Sequence, residues 1–192
     1  MNVHVSLLDK KGWNIFQGKD PFGTPELRYA VQGLRLALSE SMLICAHHAS
    51  SYHRFENFSY APINSSWCYN NRTVSLRTPA NDIPDMWIEH LLTGADANLY
   101  LLVAALLAGI HHGLSVKKEH PPPVEGNAYL ISDTELPRTW EQAWSSFEQA
   151  EILPEYFGRD FSRLFTNLKS SEKFRFLSRI VAHEYDWYLK SV

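Results

Sequence analysis

The sequence predicts an α+β fold, one unit with a strand-rich front and a helical back. Three observations lead there. Val3, Val5 and Leu7 alternate with His4 and Ser6, which is the period of a half-buried strand. Short β-like runs recur at Thr73–Thr78 and Met86–Leu92. Between and after them lie long runs with apolar residues at helical spacing, and neither a repeat nor a domain linker is visible.

Taken in order, the first strand is followed by a turn at Lys10-Lys11-Gly12 and a return strand at Trp13–Phe16. Gly18–Thr24 reads as loop. Thr24 is an N-cap, Pro25 the first helical residue and Glu26 an acid in the first turn. That helix runs to about Ala46, with Leu27, Val31, Leu34, Leu38 and Met42 along one face. Ala49–Ser66 has no period and reads as a long loop of the kind that carries function. The Thr73–Thr78 strand stops at Pro79, and Arg72 and Arg77 bracket its centre, Val74–Leu76. Ala97 to about Gly113 is a helix whose Ala and Gly content implies close packing on another element. Pro121-Pro122-Pro123 is a stiff stop. Helices are expected over Pro137–Ala150, Glu155–Leu168 and Ser170–Leu189, the last with an N-cap signature at Ser170-Ser171-Glu172-Lys173.

Composition narrows the function classes. Hydrophobic residues are 45% and charged residues 20%, as in ordinary globular proteins. A net charge of −3 without a basic patch argues against a non-specific nucleic-acid binder. Cys45 and Cys68 form no C-x-x-C pattern and read as reduced structural residues. Met1–Val5 lacks the basic and apolar regions of a signal peptide. The most apolar stretch, Leu99–Ile110, is too short to span a bilayer and is followed by His111 and His112. These features set the expectation of a cytoplasmic chain with no membrane partner, in which the N-x-S/T matches at Asn57, Asn64 and Asn71 are chance.

Chemistry gathers on arginines and one acid. Arg54, Arg72 and Arg77 suit bidentate grip of carboxylate or phosphate, and ordinary salt bridging is the plain alternative. Glu89 on a strand is a hard-oxygen ligand for a divalent cation, or else a half-exposed strand glutamate. His47-His48, His111-His112 and His120 show no i, i+4 histidine pair with a carboxylate, so capping and solvated surface explain them.

Ser51-Tyr52-His53-Arg54-Phe55, Ala61-Pro62, Asn71-Arg72-Thr73, Ile88-Glu89-His90, Gly94-Ala95-Asp96-Ala97-Asn98, Ala104-Ala105 and Ala108-Gly109 follow one another in order. Together they resemble the C-terminal part of the glutamine synthetase catalytic domain. Within that family they resemble the branch that joins glutamate to amines such as polyamines. Met1–Leu8 resembles its metal-binding strand and Glu184–Tyr188 its C-terminal helix.

The resemblance implies short antiparallel strands packed with several helices over 1–192. It also implies that a β-grasp domain and the first half of the catalytic domain, with most acidic metal ligands, precede this region in family members. It assigns Arg54 to the substrate carboxylate and Arg72 to the reacting centre. His4, Ser6 and Arg77 fall to the nucleotide, and Glu89 becomes a ligand of an incomplete metal site. ATP and Mg²⁺ or Mn²⁺ are the implied cofactors. A homo-oligomer or a complementary glutamine-synthetase-like chain is the implied partner, since the family stacks in rings. The aromatic residues Phe174, Phe176, Tyr185, Trp187 and Tyr188 are core packing or a docking surface. Tyr129 aligns loosely with a regulated loop of bacterial glutamine synthetases.

Four positions depart from the family pattern. Asn2 stands where a metal-binding histidine is expected. Trp87 and Leu91 stand where arginines flank the Ile-Glu pair. Tyr60 replaces a flap glutamate, which suits an acceptor larger than ammonia. Lost arginines remove charge-assisted hydrogen bonds that Trp and Leu cannot make. The expectation is a ligase-derived chain that is inactive in isolation, or an interaction module that binds or completes a relative.

Overall fold

A computed structural model describes residues 1–20, 22–79, 86–131, 136–180 and 182–189. Its strands are β1 Val3–Val5, β2 Trp67–Tyr69, β3 Leu76–Thr78 and β4 Ile88–His90. Its helices are α1 Pro25–Cys45, α2 Leu99–Val116, α3 Trp140–Glu148, α4 Ile152–Phe157, α5 Arg159–Leu177 and α6 Ala182–Tyr188.

The four strands form one sheet in the order β1-β4-β3-β2. β4 pairs antiparallel with both β1 and β3, as expected. β2 pairs parallel with β3, so the sheet is mixed rather than wholly antiparallel. The reason lies in loop 70–75. The Asn71 side chain accepts from the Thr73 backbone N–H at 2.9 Å and from Thr73 Oγ1 at 2.8 Å. Its amide donates to the Gly126 carbonyl at 2.7 Å. This Asx turn takes residues 71–73 out of the ladder and narrows the expected strand to Leu76–Thr78. The return strand expected at Trp13–Phe16 reduces to one bridge, Leu8 to Asn14.

α1 begins as its sequence dictates. Thr24 Oγ1 accepts from the Leu27 N–H, and Pro25 opens the first turn. Leu27, Val31, Leu34, Leu38 and Met42 are all buried, beside Phe16, Trp67, Leu76, Ile88 and Leu92. Asn98 caps α2 by accepting from the Tyr100 and Leu101 N–H groups. α2 extends to Val116, so it is longer than the apolar core read from sequence. Its length and composition alone would let it cross a membrane. Here it lies against α1 at glycines. A Cβ on Gly33 would sit 2.1 Å from the Gly109 carbonyl oxygen, and one on Gly113 would sit 2.0 Å from the Tyr29 carbonyl oxygen. The two backbones therefore touch, which explains the small residues.

The C-terminal helices divide differently from the sequence expectation. Gly158, at φ +83°, ends α4, and α5 then runs unbroken through Ser170 and Ser171. The expected N-cap at Ser170 is mid-helix, where Lys169 and Glu172 pair one turn apart at 2.7 Å. The segment Ala49–Arg54, expected as loop, is a 3-10 turn.

Candidate functional site

The sheet places three of the expected site residues in one row. His4 on β1 faces Glu89 on β4, and Glu89 faces Arg77 on β3. Residues directly opposite in an antiparallel pair have side chains on the same face. Val3, His90 and Leu76 form the neighbouring row, on the other face, where His90 and Leu76 are buried.

Glu89 is the centre of the row, and its side chain is only 2% exposed. A buried carboxylate needs partners for both oxygens. Asn2 Nδ2 donates to Oε1 at 2.9 Å, and His4 Nε2 lies 3.2 Å from the same oxygen. Arg77 donates from both Nε and Nη2 to Oε2. His4 is held from the other side by Trp87, whose ring stacks on it at 5.6 Å and 18°. Asn2 and Trp87, two of the departures from the family pattern, are thus built into the row. Leu91, a third, is half-buried, and its N–H donates to the Ser75 carbonyl.

The remaining expected residues lie elsewhere. Ser6 continues the His4 side of the strand and donates to the Met86 carbonyl at 3.1 Å. Arg72 tops the Asx turn. It is exposed, with no ion-pair partner among the described residues. Arg54 ends the 3-10 turn. Its Nε donates to the Ser51 carbonyl at 3.2 Å, its Nη2 to the Leu92 carbonyl, and the guanidinium lies 4.4 Å from the centre of the Phe55 ring. Arg54 therefore ties the turn to the chain just after β4. No hydrogen bond or ion pair joins Arg54 or Arg72 to the Glu89 row among the described residues.

The fit of a divalent cation at Glu89 follows from this geometry. Both carboxylate oxygens are already engaged, one by a guanidinium whose positive charge opposes a second cation. The neighbouring Asn2 offers its amide nitrogen, a donor and not a ligand. In this arrangement the residues present do not fit a metal at Glu89.

Other sequence candidates resolve locally. His111 Nδ1 lies 3.1 Å from the Tyr156 hydroxyl, and His120 packs on Trp67 with ring centres 3.8 Å apart. Tyr129 donates to the Ala61 carbonyl at 3.0 Å, and Tyr60 is 89% exposed with φ +63°. Cys45 is fully buried, and burial pushes its thiol up to about 11, so it is inert at neutral pH. His47 and His48 are not plain surface residues, however. They meet Asp96 from the far side of the chain, and each of the three offers one ligand atom within 4.8 Å of the others. Sequence spacing could not show this, because the approach is made by tertiary contact. The Gly94 N–H donates to the Cys45 carbonyl at 2.9 Å and brings the α2 entry loop to the end of α1.

A four-stranded mixed sheet with a polar carboxylate–guanidinium row, backed by paired helices, is the class of fold defined so far. The family model for the glutamine synthetase catalytic domain matches residues 1–188, and the chain belongs to that family. Its curated relatives include gamma-glutamylputrescine synthetase PuuA of Escherichia coli strain K12, 33% identical over 191 residues. That match takes in 100% of this chain and 40% of the relative. Gamma-glutamylethanolamide synthetase GlnA4 of Streptomyces coelicolor is 31% identical over 98% of this chain and 40% of its own length. A glutamate–isopropylamine ligase from a Pseudomonas species is 33% identical over 88% of this chain and 38% of its own. The chain thus spans about two fifths of the length of these relatives. The solved structure of apo GmaS without ligand superposes with a TM-score of 0.85 at 23% identity, over 98% of this chain and 44% of that one. It shares the fold.

Proposed function

We propose that residues 1–192 carry part of the active site of a glutamate–amine ligase. In the proposed reaction the γ-carboxylate of glutamate takes the terminal phosphoryl group of ATP. An amine then displaces phosphate from γ-glutamyl phosphate to form the amide. Arg54 would bind the substrate carboxylate, Arg72 the charge that builds at the reacting centre, and Arg77, His4 and Ser6 the nucleotide. Phosphoryl transfer is governed by positioned positive charge, which Arg77 on the sheet, Arg54 on the 3-10 turn and Arg72 on the Asx turn would supply. Three relatives whose names specify putrescine, ethanolamide and isopropylamine products or substrates support an amine over ammonia as acceptor. The exposed Tyr60 agrees with this reading.

The same proposal holds that this stretch alone does not turn over. The observation that carries it is the engagement of Glu89 by Asn2, His4 and Arg77, which leaves no free carboxylate oxygen in the row. Phosphate release from ATP, with glutamate and a panel of putrescine, ethanolamine, isopropylamine and ammonia, tests it beside an intact family member. Silence beside a working control is expected. Glutamate- and amine-dependent release by residues 1–192 would overturn the proposal of inactivity.

A second reading is a module that associates with another copy or a related chain. It is favoured by the apolar side chains at the C-terminal end, where Phe174 is 75% and Ile180 81% exposed, with Phe176, Tyr185 and Trp187 also exposed. Light scattering after size exclusion tests it, and a monodisperse monomer at high concentration would count against it.

A further inference from the structure

We propose that His47, His48 and Asp96 form a binding site for a borderline divalent cation, Zn²⁺ foremost, separate from the Glu89 row. The site joins two segments far apart in sequence. His47 and His48 follow the end of α1 and lead into the turn that carries Arg54. Asp96 lies in the loop that leads into α2.

The ligand chemistry selects the ion. Two imidazoles and one carboxylate suit Zn²⁺ and its first-row neighbours, whereas Mg²⁺ and Ca²⁺ favour all-oxygen sites. The three ligand atoms lie within 4.8 Å of one another, and tetrahedral ligands around Zn²⁺ are about 3.3 Å apart. His48 and Asp96 are exposed, so a small side-chain adjustment at each closes that difference without moving a buried group.

Two further observations point to a ligand. His47 Nδ1 is buried and has no hydrogen-bond partner, which is costly for an imidazole nitrogen unless something else uses it. His48 Nδ1 lies 3.2 Å from Glu172 Oε1. A carboxylate on one ring nitrogen fixes the tautomer and leaves Nε2 as the metal-binding atom, which is the usual outer-shell arrangement at histidine sites.

The surroundings permit the charge. Arg54, whose charge acts on Asp96, is committed to the Ser51 and Leu92 carbonyls. Lys169, the cation beside His47, is committed too. Its Nζ donates to Glu172 Oε2 at 2.7 Å and to the His47 carbonyl at 3.1 Å. Ser51 Oγ donates to Asp96 Oδ2 at 3.5 Å and holds the carboxylate towards the turn. Three protein ligands leave a fourth position for water or an added ligand. A bound ion would clip the Arg54 turn to the α2 entry, with Glu172 of α5 steadying one ligand.

The test uses the chain stripped with a chelator and titrated with Co²⁺, which absorbs in the visible when tetrahedral, followed by Zn²⁺ competition. One equivalent of tetrahedral Co²⁺, displaced by Zn²⁺ and not by Mg²⁺, is expected. His48→Ala and Asp96→Asn, both at exposed positions, should each weaken Zn²⁺ binding about tenfold or more, with unchanged circular dichroism. Glu172→Gln should weaken it less, and His111→Ala, on α2, not at all. Absence of one-equivalent binding by the unaltered chain would overturn the proposal. So would His48→Ala and Asp96→Asn binding as tightly as the unaltered chain. None of these residues belongs to the Glu89 row, so the outcome is independent of the ligase assay.

Discussion

Arg77 and Glu89 stand opposite each other on adjacent antiparallel strands, and the guanidinium donates twice to one carboxylate oxygen. The glutamate is buried and the arginine is mostly so, with side chains 2% and 22% exposed. An ion pair so placed is held by its partners, and removing one member leaves the other stranded. It also converts a residue expected to hold a cation into one that is internally neutralised.

Breaking this pair should therefore cost more than replacing it. Arg77→Met is expected to lower unfolding stability by about 3–5 kcal/mol, because a buried carboxylate loses its counter-charge. The double change Arg77→Met with Glu89→Leu should recover much of that loss. Urea titrations of the parent and the two variants measure it. A single variant within about 1 kcal/mol of the parent would show that Asn2 and His4 suffice to hold Glu89.

The glycine contact between α1 and α2 makes a ranked prediction. A Cβ at Gly33 or Gly113 would meet backbone atoms at 2.1 and 2.0 Å, while one at Gly109 would meet Leu34 at 3.2 Å. An overlap near 2 Å with backbone requires the helices to separate, whereas 3.2 Å is a tight contact that a small shift relieves. Gly33→Ala and Gly113→Ala should each destabilise by about 3 kcal/mol or more, and Gly109→Ala by about 1 kcal/mol. Equal melting temperatures for all three would contradict the packing described.

His90 supplies a pH dependence. It is fully buried, with Nδ1 3.1 Å from Thr93 Oγ1. Burial, with the positive charge of Arg54 behind it, lowers its pKa from 6.5 to about 4. The unfolded chain therefore takes up the proton first as pH falls. The contribution is fully present above about pH 6.5 and is lost between there and about pH 4, to a total of about 3 kcal/mol. Carboxylates titrate in the same window, so the readout is the difference between the parent and His90→Leu. Parallel stability curves for the two would exclude the effect.

How much of this was legible before the structure differs by element. Thr24-Pro25-Glu26 and the spacing Leu27 to Met42 specify α1 almost completely, because capping and periodicity are local. The small residues of α2 correctly implied a close neighbour. β2 was not expected, since three residues between irregular segments carry no period, and its parallel partner β3 is reached through the Asn71 side-chain turn. Gly158, at positive φ, breaks the helix expected over Glu155–Leu168, and Ser170, expected as a cap, lies inside the helix that follows. At the site, the residue types were legible but their partners were not. Nothing local says that Asn2 would donate to Glu89, or that Asp96 would arrive beside His47 and His48.

Glu40 gives the last prediction, on how the C-terminal helices are fastened. Its two carboxylate oxygens accept from the backbone N–H groups of Glu151, Ile152 and Leu153, at 2.9 to 3.2 Å. Glu151 itself supplies no capping side chain, so a residue on α1 satisfies the donors that open α4. The negative charge also faces the positive end of the helix. Glu40→Ala is expected to cost about 1–2 kcal/mol, the size of a lost helix cap. Glu40→Gln keeps one acceptor oxygen and loses the charge, so it should cost about half as much. Because the bonds tie α1 to α4, the loss should be local first. Amide hydrogen exchange in Glu40→Ala is expected to quicken at residues 151–157 before it changes in α1 and α2. Uniform acceleration across the chain would show instead that the contact supports the whole fold and not one junction.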